Sequence, residues 1–331
     1  MKNVKIQREW LLLLGSLFVM AAMYNHYIGH SAYLVEIIFI VVGSMIALIA
    51  LITQAPKSAE AEEGMLVVFL SRYLTRRQCA LILPLVGFLL ILGWSVWKLT
   101  VKGSADLRME DFMVTLLGLA LVLYYSGPSK FTPQKDFVVL YLIFMTFVFV
   151  VIWKSYVMFT GEPGARLSMY SQYYMITIPT AMLAQLLGVD ATAVLLADNE
   201  GLTNFIDYGY QGRTITVGIG VTCSGLYSAG LFFSAFLSFV LVRYKKIDRY
   251  ILLGLGAGLF ITWFSNIFRM TITILVGSIY GHPGLSFFHS YFGIIAFILF
   301  LTVFWVIIVR WLDKHEPVES KEDGETGQTP V

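Results

Sequence analysis

Charged residues are scarce in this chain of 331 residues: only 13% are Asp, Glu, Lys or Arg, whereas 58% are hydrophobic. Soluble globular proteins carry about a quarter charged residues, so the composition argues against a water-soluble domain. A net charge of +2 and the lack of a basic tract exclude nucleic acid as a partner. Cysteine is scarcer still, and Cys79 and Cys223 alone cannot build a disulfide framework.

Long uncharged runs dominate what is present. A bilayer core of about 30 Å requires roughly 20 apolar helical residues, and runs of this order recur along nearly the whole chain. They cover 11–35, 37–56, 78–97, 112–129, 137–153, 167–189, 214–242, 251–268 and 270–309. The first run resembles a signal peptide, but no small-residue cleavage site follows it cleanly, so we interpret it as a retained span. The last run divides at Tyr280 to Gly284, which predicts one helix ending near Ser278 and another beginning near Ser286.

The distribution of Lys and Arg predicts the topology, because basic clusters remain on the cytoplasmic side. The clusters that alternation places inside lie at 2–8, 72–77, 130–135 and 243–249. This assignment requires that the run 167–189 does not cross the membrane; if it crossed, the cluster 243–249 would lie outside. Because the run is rich in Ser, Gln and Pro, we interpret it as interfacial or re-entrant. The predicted fold is an all-α polytopic transmembrane bundle of about eight spans, with both termini cytoplasmic.

Four regions follow from this pattern. They are N-terminal transmembrane helices at 1–159, an extracytoplasmic or interfacial region at 160–213, a catalytic transmembrane core at 214–312 and a disordered cytoplasmic tail at 313–331. Within 204–221, polar and β-branched residues alternate about Gln211-Gly212, which predicts a short extracytoplasmic hairpin before the next helix. The acidic residues of the outer region are expected to form a solvated face of loops; they are Asp190, Asp198, Glu200 and Asp207.

Cys223 is the first candidate for chemistry. It lies in Thr222-Cys223-Ser224-Gly225, where the predicted hairpin gives way to a long apolar helix. The partial positive charge of a helix start favours a thiolate, which is the nucleophilic form of cysteine. Taken alone, Cys223 fits better as a small buried hydrophobe, the usual fate of a free cysteine.

Arg269 and His289 change that balance. Arg269 is the only formally charged residue between Ile251 and Val309, and a charge within the membrane is rare unless it faces protein or water. Snorkelling to the headgroups is its alternative role. His289 follows the Gly-Pro break and is predicted to open the final helix. Antiparallel alternation then places Cys223, Arg269 and His289 at one membrane face, whichever way the chain is inserted.

A thiol, an imidazole and a guanidinium form a coherent set for acyl transfer. The thiolate attacks a peptide carbonyl, an acid protonates the leaving amine, and a fixed cation stabilises the oxyanion. Imidazole suits the acid/base role because it titrates near neutrality. The sequence leaves open which of Arg269 and His289 is the proton donor.

The order Thr222-Cys223-Ser224-Gly225, then Asn266-Ile267-Phe268-Arg269, then Phe288-His289 in successive C-terminal helices resembles the exosortase/archaeosortase family of membrane-embedded cysteine transpeptidases. The resemblance implies an enzyme of the cell membrane, with its active site at the extracytoplasmic face. It implies cleavage of a C-terminal sorting signal of exported proteins, made of a short motif, a transmembrane helix and a basic end. It further implies transfer to a lipid or another cell-surface acceptor.

The same resemblance implies that Cys223 is the acyl-thioester nucleophile, Arg269 the proton donor and His289 the transition-state stabiliser. These roles exchange Arg269 and His289 relative to the chemical argument above. No cofactor is implied, and a metal shared by His282 and His289 is disfavoured because no carboxylate lies between Ile251 and Val309. The alternative function is a non-enzymatic transporter or binding scaffold in which Arg269 is a counter-ion. Cys79 is predicted to be passive.

Overall fold

The computed structural model describes residues 8–28, 33–53, 64–100, 109–125, 131–152, 169–198, 201–219, 225–244 and 247–315. These ranges are mostly helical, which agrees with the predicted class. The helices are α1 (Arg8–Ile28), α2 (Tyr33–Thr53), α3 (Met65–Ser71), α4 (Arg76–Thr100), α5 (Met109–Val122), α6 (Thr132–Thr146), α7 (Ile178–Leu186), α8 (Leu226–Arg243) and α9 (Arg249–His315). One π-helical segment, Phe147–Ile152, continues α6, and another, Tyr173–Thr177, leads into α7. The strands are β1 (Ala191–Asp198), β2 (Gly201–Tyr210) and β3 (Arg213–Ile219).

The described helices include long apolar segments of the kind that span membranes. Four segments of the described chain are long and apolar enough to cross a bilayer: Arg76–Thr100, Thr132–Val151, Leu226–Arg243 and Arg249–His289. Shorter apolar helices cover Leu11–Ala22 and Glu36–Ala50. The ambiguous run 167–189 is not among the four, and its described part packs beside α9, where Met175 O accepts from Trp263 Nε1 at 2.9 Å. The total of about eight spans stays a prediction.

The chain divides into two compact units. The first comprises Met1–Lys154 and Leu237–Arg243. Its helices approach closely where glycines face each other: a Cβ on Gly15 would lie 2.6 Å from Gly43 O, and a Cβ on Gly87 would lie 2.5 Å from Gly118 O. Without a hydrophobic driving force between helices in lipid, such small-residue crossings let van der Waals packing hold the helices together.

Three buried charged side chains of the first unit, Lys98, Asp111 and Asp136, have polar partners. Lys98 Nζ lies 3.0 Å from Asp111 Oδ2, with 3% and 1% of the two side chains exposed. Trp94 Nε1 donates to the other carboxylate oxygen of Asp111 at 2.9 Å. Asp136 accepts from Tyr124 Oη and from the backbone N–H of Met65 at the start of α3. These contacts satisfy charges that would otherwise be costly to bury.

The second unit comprises Ser155–Phe236 and Tyr244–Val331, and it holds the whole sheet. The strand order is β1-β2-β3, antiparallel throughout. Tyr210 pairs with Arg213, leaving Gln211 (φ 49°) and Gly212 (φ 75°) as a two-residue loop. Positive φ at both loop positions is typical of a type I′ turn, which matches the twist of the flanking strands. The predicted hairpin is therefore present, and β1 adds a strand that the sequence did not predict.

The sheet also corrects the predicted acidic loops. Asp198 ends β1 and Asp207 lies within β2, where its carboxylate accepts from Thr216 Oγ1 at 2.6 Å. Glu200 lies outside the described residues. The alternation of β2 places Asn204, Ile206 and Tyr208 on the buried face and Asp207 on the other, because successive side chains of a strand point to opposite faces.

Helix α9 breaks at Gly281 and folds back on itself as a helical hairpin. Gly281 is non-helical (φ 69°, ψ −164°), and Pro283 follows it. The ring centroids of Phe268 and Phe300 lie 5.9 Å apart, and those of Tyr250 and Trp311 lie 5.6 Å apart. Because earlier residues of the first half contact later residues of the second, the two halves run antiparallel from the break at Gly281. The predicted break is confirmed, but the second half resumes before Ser286.

Candidate functional site

Arg269 and His289 lie in opposite halves of the α9 hairpin. Arg269 is twelve residues before Gly281 and His289 is eight residues after it. At about 1.5 Å per residue these separations are roughly 18 Å and 12 Å along the two halves, so the residues differ in level by about one helical turn. His289 therefore lies about two turns inside the second half, whereas the sequence predicted that it opens that half.

The guanidinium and the imidazole are electrostatically coupled across the hairpin. Arg269 is half-buried, whereas His289 is exposed on the protein surface. The positive charge of Arg269 acts on the ring of His289 by a Coulombic interaction. The fixed positive charge of Arg269 therefore contributes to the electrostatic environment of the His289 ring.

Asn266 holds Arg269 from the same helical face. Arg269 Nη2 donates to Asn266 Oδ1 at 3.0 Å, an i, i+3 pair one turn apart. Asn266 is only 5% exposed. The backbone carbonyl of Arg269 also accepts a hydrogen bond, from Thr273 Oγ1 at 2.9 Å. The guanidinium is thus held by a buried amide, and Asn266 does not neutralise its positive charge.

The start of α8 lies directly against this pair. Gly225 is buried and has φ 75°, and a Cβ placed on it would lie 2.9 Å from both Cγ and Nδ2 of Asn266. Glycine is required here twice over: the left-handed backbone disfavours a side chain, and the amide of Asn266 occupies the space. Cys223 and Ser224, which precede Gly225, lie outside the described residues.

The sheet packs against the first half of α9 close to Arg269. Ile206, Tyr208 and Ile219 share one buried cluster with Met270 and Ile274. Further along the same face, the space beside Gly277 holds Tyr208 Oη, which lies 2.7 Å from where a Cβ would stand. Ile219, at the end of β3, therefore belongs to the same buried cluster as Met270, the residue next to Arg269.

A polar atom at this packed face has no partner. Tyr208 is 1% exposed, and its phenolic oxygen makes no hydrogen bond. Burial raises the pKa of the Tyr208 phenol above its ordinary value. The sequence does not identify Tyr208 as unusual, because tyrosines are common on strands. Only the structure shows that its hydroxyl packs beside Gly277.

Metal-ligand groups do not assemble in the described ranges, where no cluster of three His, Cys, Asp or Glu residues occurs. His282 is exposed one residue after the break in α9. Of the predicted site residues, Arg269 and His289 lie in opposite halves of the α9 hairpin. The structure also brings Asn266 and Gly225 together, a contact that the sequence did not predict.

A family model described as Transmembrane exosortase (Exosortase_EpsH) matches residues 56–306, well over half of the 331 residues. The chain belongs to the transmembrane exosortase family. The match includes the Thr222-Cys223-Ser224-Gly225 segment, Asn266, Arg269 and His289. No curated protein and no solved structure matches the chain. Family membership together with the apolar helices identifies this exosortase as a membrane protein, and it supports a cysteine-dependent sorting enzyme.

Proposed function

We propose that this exosortase is an intramembrane cysteine transpeptidase that cleaves the C-terminal sorting signal of exported proteins. The observation that carries the proposal is the contact of Gly225 with Asn266, which in turn binds Arg269. Cys223 precedes Gly225 by two residues, and two residues of extended chain span at most about 7 Å. We therefore infer that the thiol of Cys223 acts together with the Arg269 guanidinium and the His289 imidazole.

The first step forms a thioester. The thiolate of Cys223 attacks the scissile carbonyl carbon, the S–C bond forms and the carbonyl electrons move onto oxygen. Arg269 stabilises this oxyanion, because its guanidinium is held in place by Asn266 and remains charged at every relevant pH. When the C–N bond breaks, protonated His289 gives its proton to the leaving amine.

The second step transfers the acyl group. A nucleophile on a lipid or another cell-surface acceptor attacks the thioester carbon, and neutral His289 accepts the proton that this nucleophile loses. The new ester or amide bond forms as the C–S bond breaks and the thiolate returns. These assignments follow the chemical preference of the two side chains, since the guanidinium is a poor proton donor near neutral pH.

We further propose four regions: helices at 1–159, an extracytoplasmic or interfacial region at 160–213, a catalytic core at 214–312 and a cytoplasmic tail at 313–331. The site would then face the extracytoplasmic side, where exported proteins still anchored by their C-terminal helix would reach it.

The decisive test is replacement of Cys223 by serine in the native host, with Cys79→Ala as the matched control. Cys79 is fully buried in the first unit, so its loss removes a thiol without touching the site. Intact mass analysis of surface proteins that end in a motif, a hydrophobic helix and basic residues should show retained C-terminal helices only with Cys223→Ser. Normal processing by a folded Cys223→Ser protein would refute the thioester mechanism and favour the transporter or scaffold alternative.

A further inference from the structure

The side chain of Asn266 lies between the two parts of the site that must act together. On one side it accepts the hydrogen bond from Arg269 Nη2 at 3.0 Å. On the other its amide occupies the space beside Gly225, where a Cβ would come within 2.9 Å of it. Only 5% of Asn266 is exposed, so the side chain has little room to change its rotamer.

We propose that Asn266 is a positioning residue that aligns the Arg269 guanidinium with the segment carrying Cys223. The inference rests on the proposed function. An arginine side chain has many rotamers, and this freedom is lost before the reaction when one end of the guanidinium is anchored. A misplacement of about 1 Å at a reacting centre can lower a rate about 100-fold, so the anchor is expected to matter for turnover.

The amide is chemically suited to this task. Asparagine accepts a hydrogen bond without bringing a negative charge, so Arg269 keeps its full charge for a developing oxyanion. An aspartate would hold the guanidinium in the same place but offset part of that charge. Leucine has a similar size and no acceptor. The expected order of activity is therefore Asn266, then Asn266→Asp, then Asn266→Leu, with the leucine variant about 10- to 100-fold slower than the parent.

Gly225 provides a second route to the same contact. Gly225→Ala introduces a Cβ against Asn266, whereas Gly212→Ala, at the hairpin loop, meets nothing within 4 Å. Both glycines have φ 75°, a left-handed backbone that disfavours a side chain, so Gly212→Ala controls for the loss of glycine at such a position. A rate loss in Gly225→Ala that is absent in Gly212→Ala is the result expected if the new Cβ displaces the Asn266 amide.

The experiment is a double-mutant cycle on the full-length protein in liposomes, made in the Cys79→Ala background. Cys223 is alkylated with iodoacetamide at pH 7, which needs no substrate. A nearby guanidinium favours the thiolate, so Arg269→Ala is expected to slow alkylation about tenfold, the change for one pKa unit. Asn266→Leu should slow it too, and the double variant should be no slower than Arg269→Ala, because Asn266 acts through Arg269.

Additive losses in the cycle, or unchanged alkylation of Asn266→Leu beside a slowed Arg269→Ala, would overturn the positioning role and leave the transpeptidase proposal intact. Processing that survives Cys223→Ser would overturn the transpeptidase proposal itself. If Asn266→Leu fails to fold, the comparison of Gly225→Ala with Gly212→Ala decides the question. Equal alkylation rates for these two variants would then refute the inference.

Discussion

Replacing Gly258 by alanine tests how helix α8 is held against the first half of α9. A Cβ on Gly258 would lie 1.9 Å from Phe232 Cζ, whereas real contacts of this kind begin near 3.4 Å. The ring would have to retreat by about 1.5 Å. Phe232 is 1% exposed and is surrounded by Phe236, Phe304 and Trp305, with centroids at 5.6, 5.2 and 6.3 Å.

The magnitude follows from these distances. Overpacking a dense interior costs about 1–3 kcal/mol, and each aromatic pair that the ring leaves contributes about 0.5–1.5 kcal/mol. Against this stands a gain of about 1 kcal/mol in helix propensity when glycine becomes alanine. Gly258→Ala is therefore expected to lower the free energy of unfolding by about 2–4 kcal/mol. Because Phe232 and Gly225 lie on the same α8 segment, turnover should fall as well.

Gly256 supplies the matched control, since it lies in the same helix and a Cβ there meets nothing within 4 Å. Gly256→Ala gains propensity without a clash, so it should be neutral or up to about 1 kcal/mol more stable. Both variants are heated in detergent, and the fraction that remains monodisperse is followed by size-exclusion chromatography. A Gly258→Ala protein that is as heat-resistant as Gly256→Ala would refute the packing argument.

Three further outcomes are expected. Tyr208→Phe should be neutral or slightly stabilising, because it removes a buried hydroxyl that has no partner. The raised pKa of the phenol means that the parent loses stability as the pH rises above about 10, while Tyr208→Phe lacks this alkaline loss in melts taken from pH 8 to 11. Lys98→Met should cost about 3–5 kcal/mol, because it leaves the carboxylate of Asp111 buried without its cation, and adding Asp111→Leu should restore most of the loss in thermal melts. In intact cells of the Cys79→Ala strain, a membrane-impermeant maleimide should label Cys223 from outside; labelling only after lysis would place the site on the cytoplasmic side.

Local sequence was sufficient for features that depend on neighbouring residues. Uncharged runs predicted membrane helices because their length and composition match a bilayer core. Gln211-Gly212 predicted a hairpin because positive φ is cheap for glycine and suits the turn. Gly281 and Pro283 predicted a break within the last apolar run, although the residues around it form helix closer to the break than expected.

Strand β1 shows where local sequence was not sufficient. Its residues, Ala191–Asp198, are small and apolar enough for several structures, and they form a strand because β2 offers them a complete ladder. Tyr173 Oη and Gln185 Nε2 also donate to its carbonyl oxygens, at 3.3 and 2.6 Å. These partners lie near in sequence, but whether a segment forms a strand depends on the packing and pairing that the fold supplies.

The sequence by itself determined the membrane class, the hairpin, the position of the break in α9 and the family. Each of these follows from local features of the sequence: hydrophobic runs, turn-forming residues and the order of short motifs. Only the tertiary structure decided that Gly225 meets Asn266, that Asn266 holds Arg269, and that Arg269 and His289 differ in level by about a turn. The reason is physical: those relations depend on which helix faces pack together and how far two antiparallel halves extend from Gly281. Such packing is a property of the assembled helices. One side chain can pack against many different partners, and only the complete set of neighbours in the dense interior selects one arrangement.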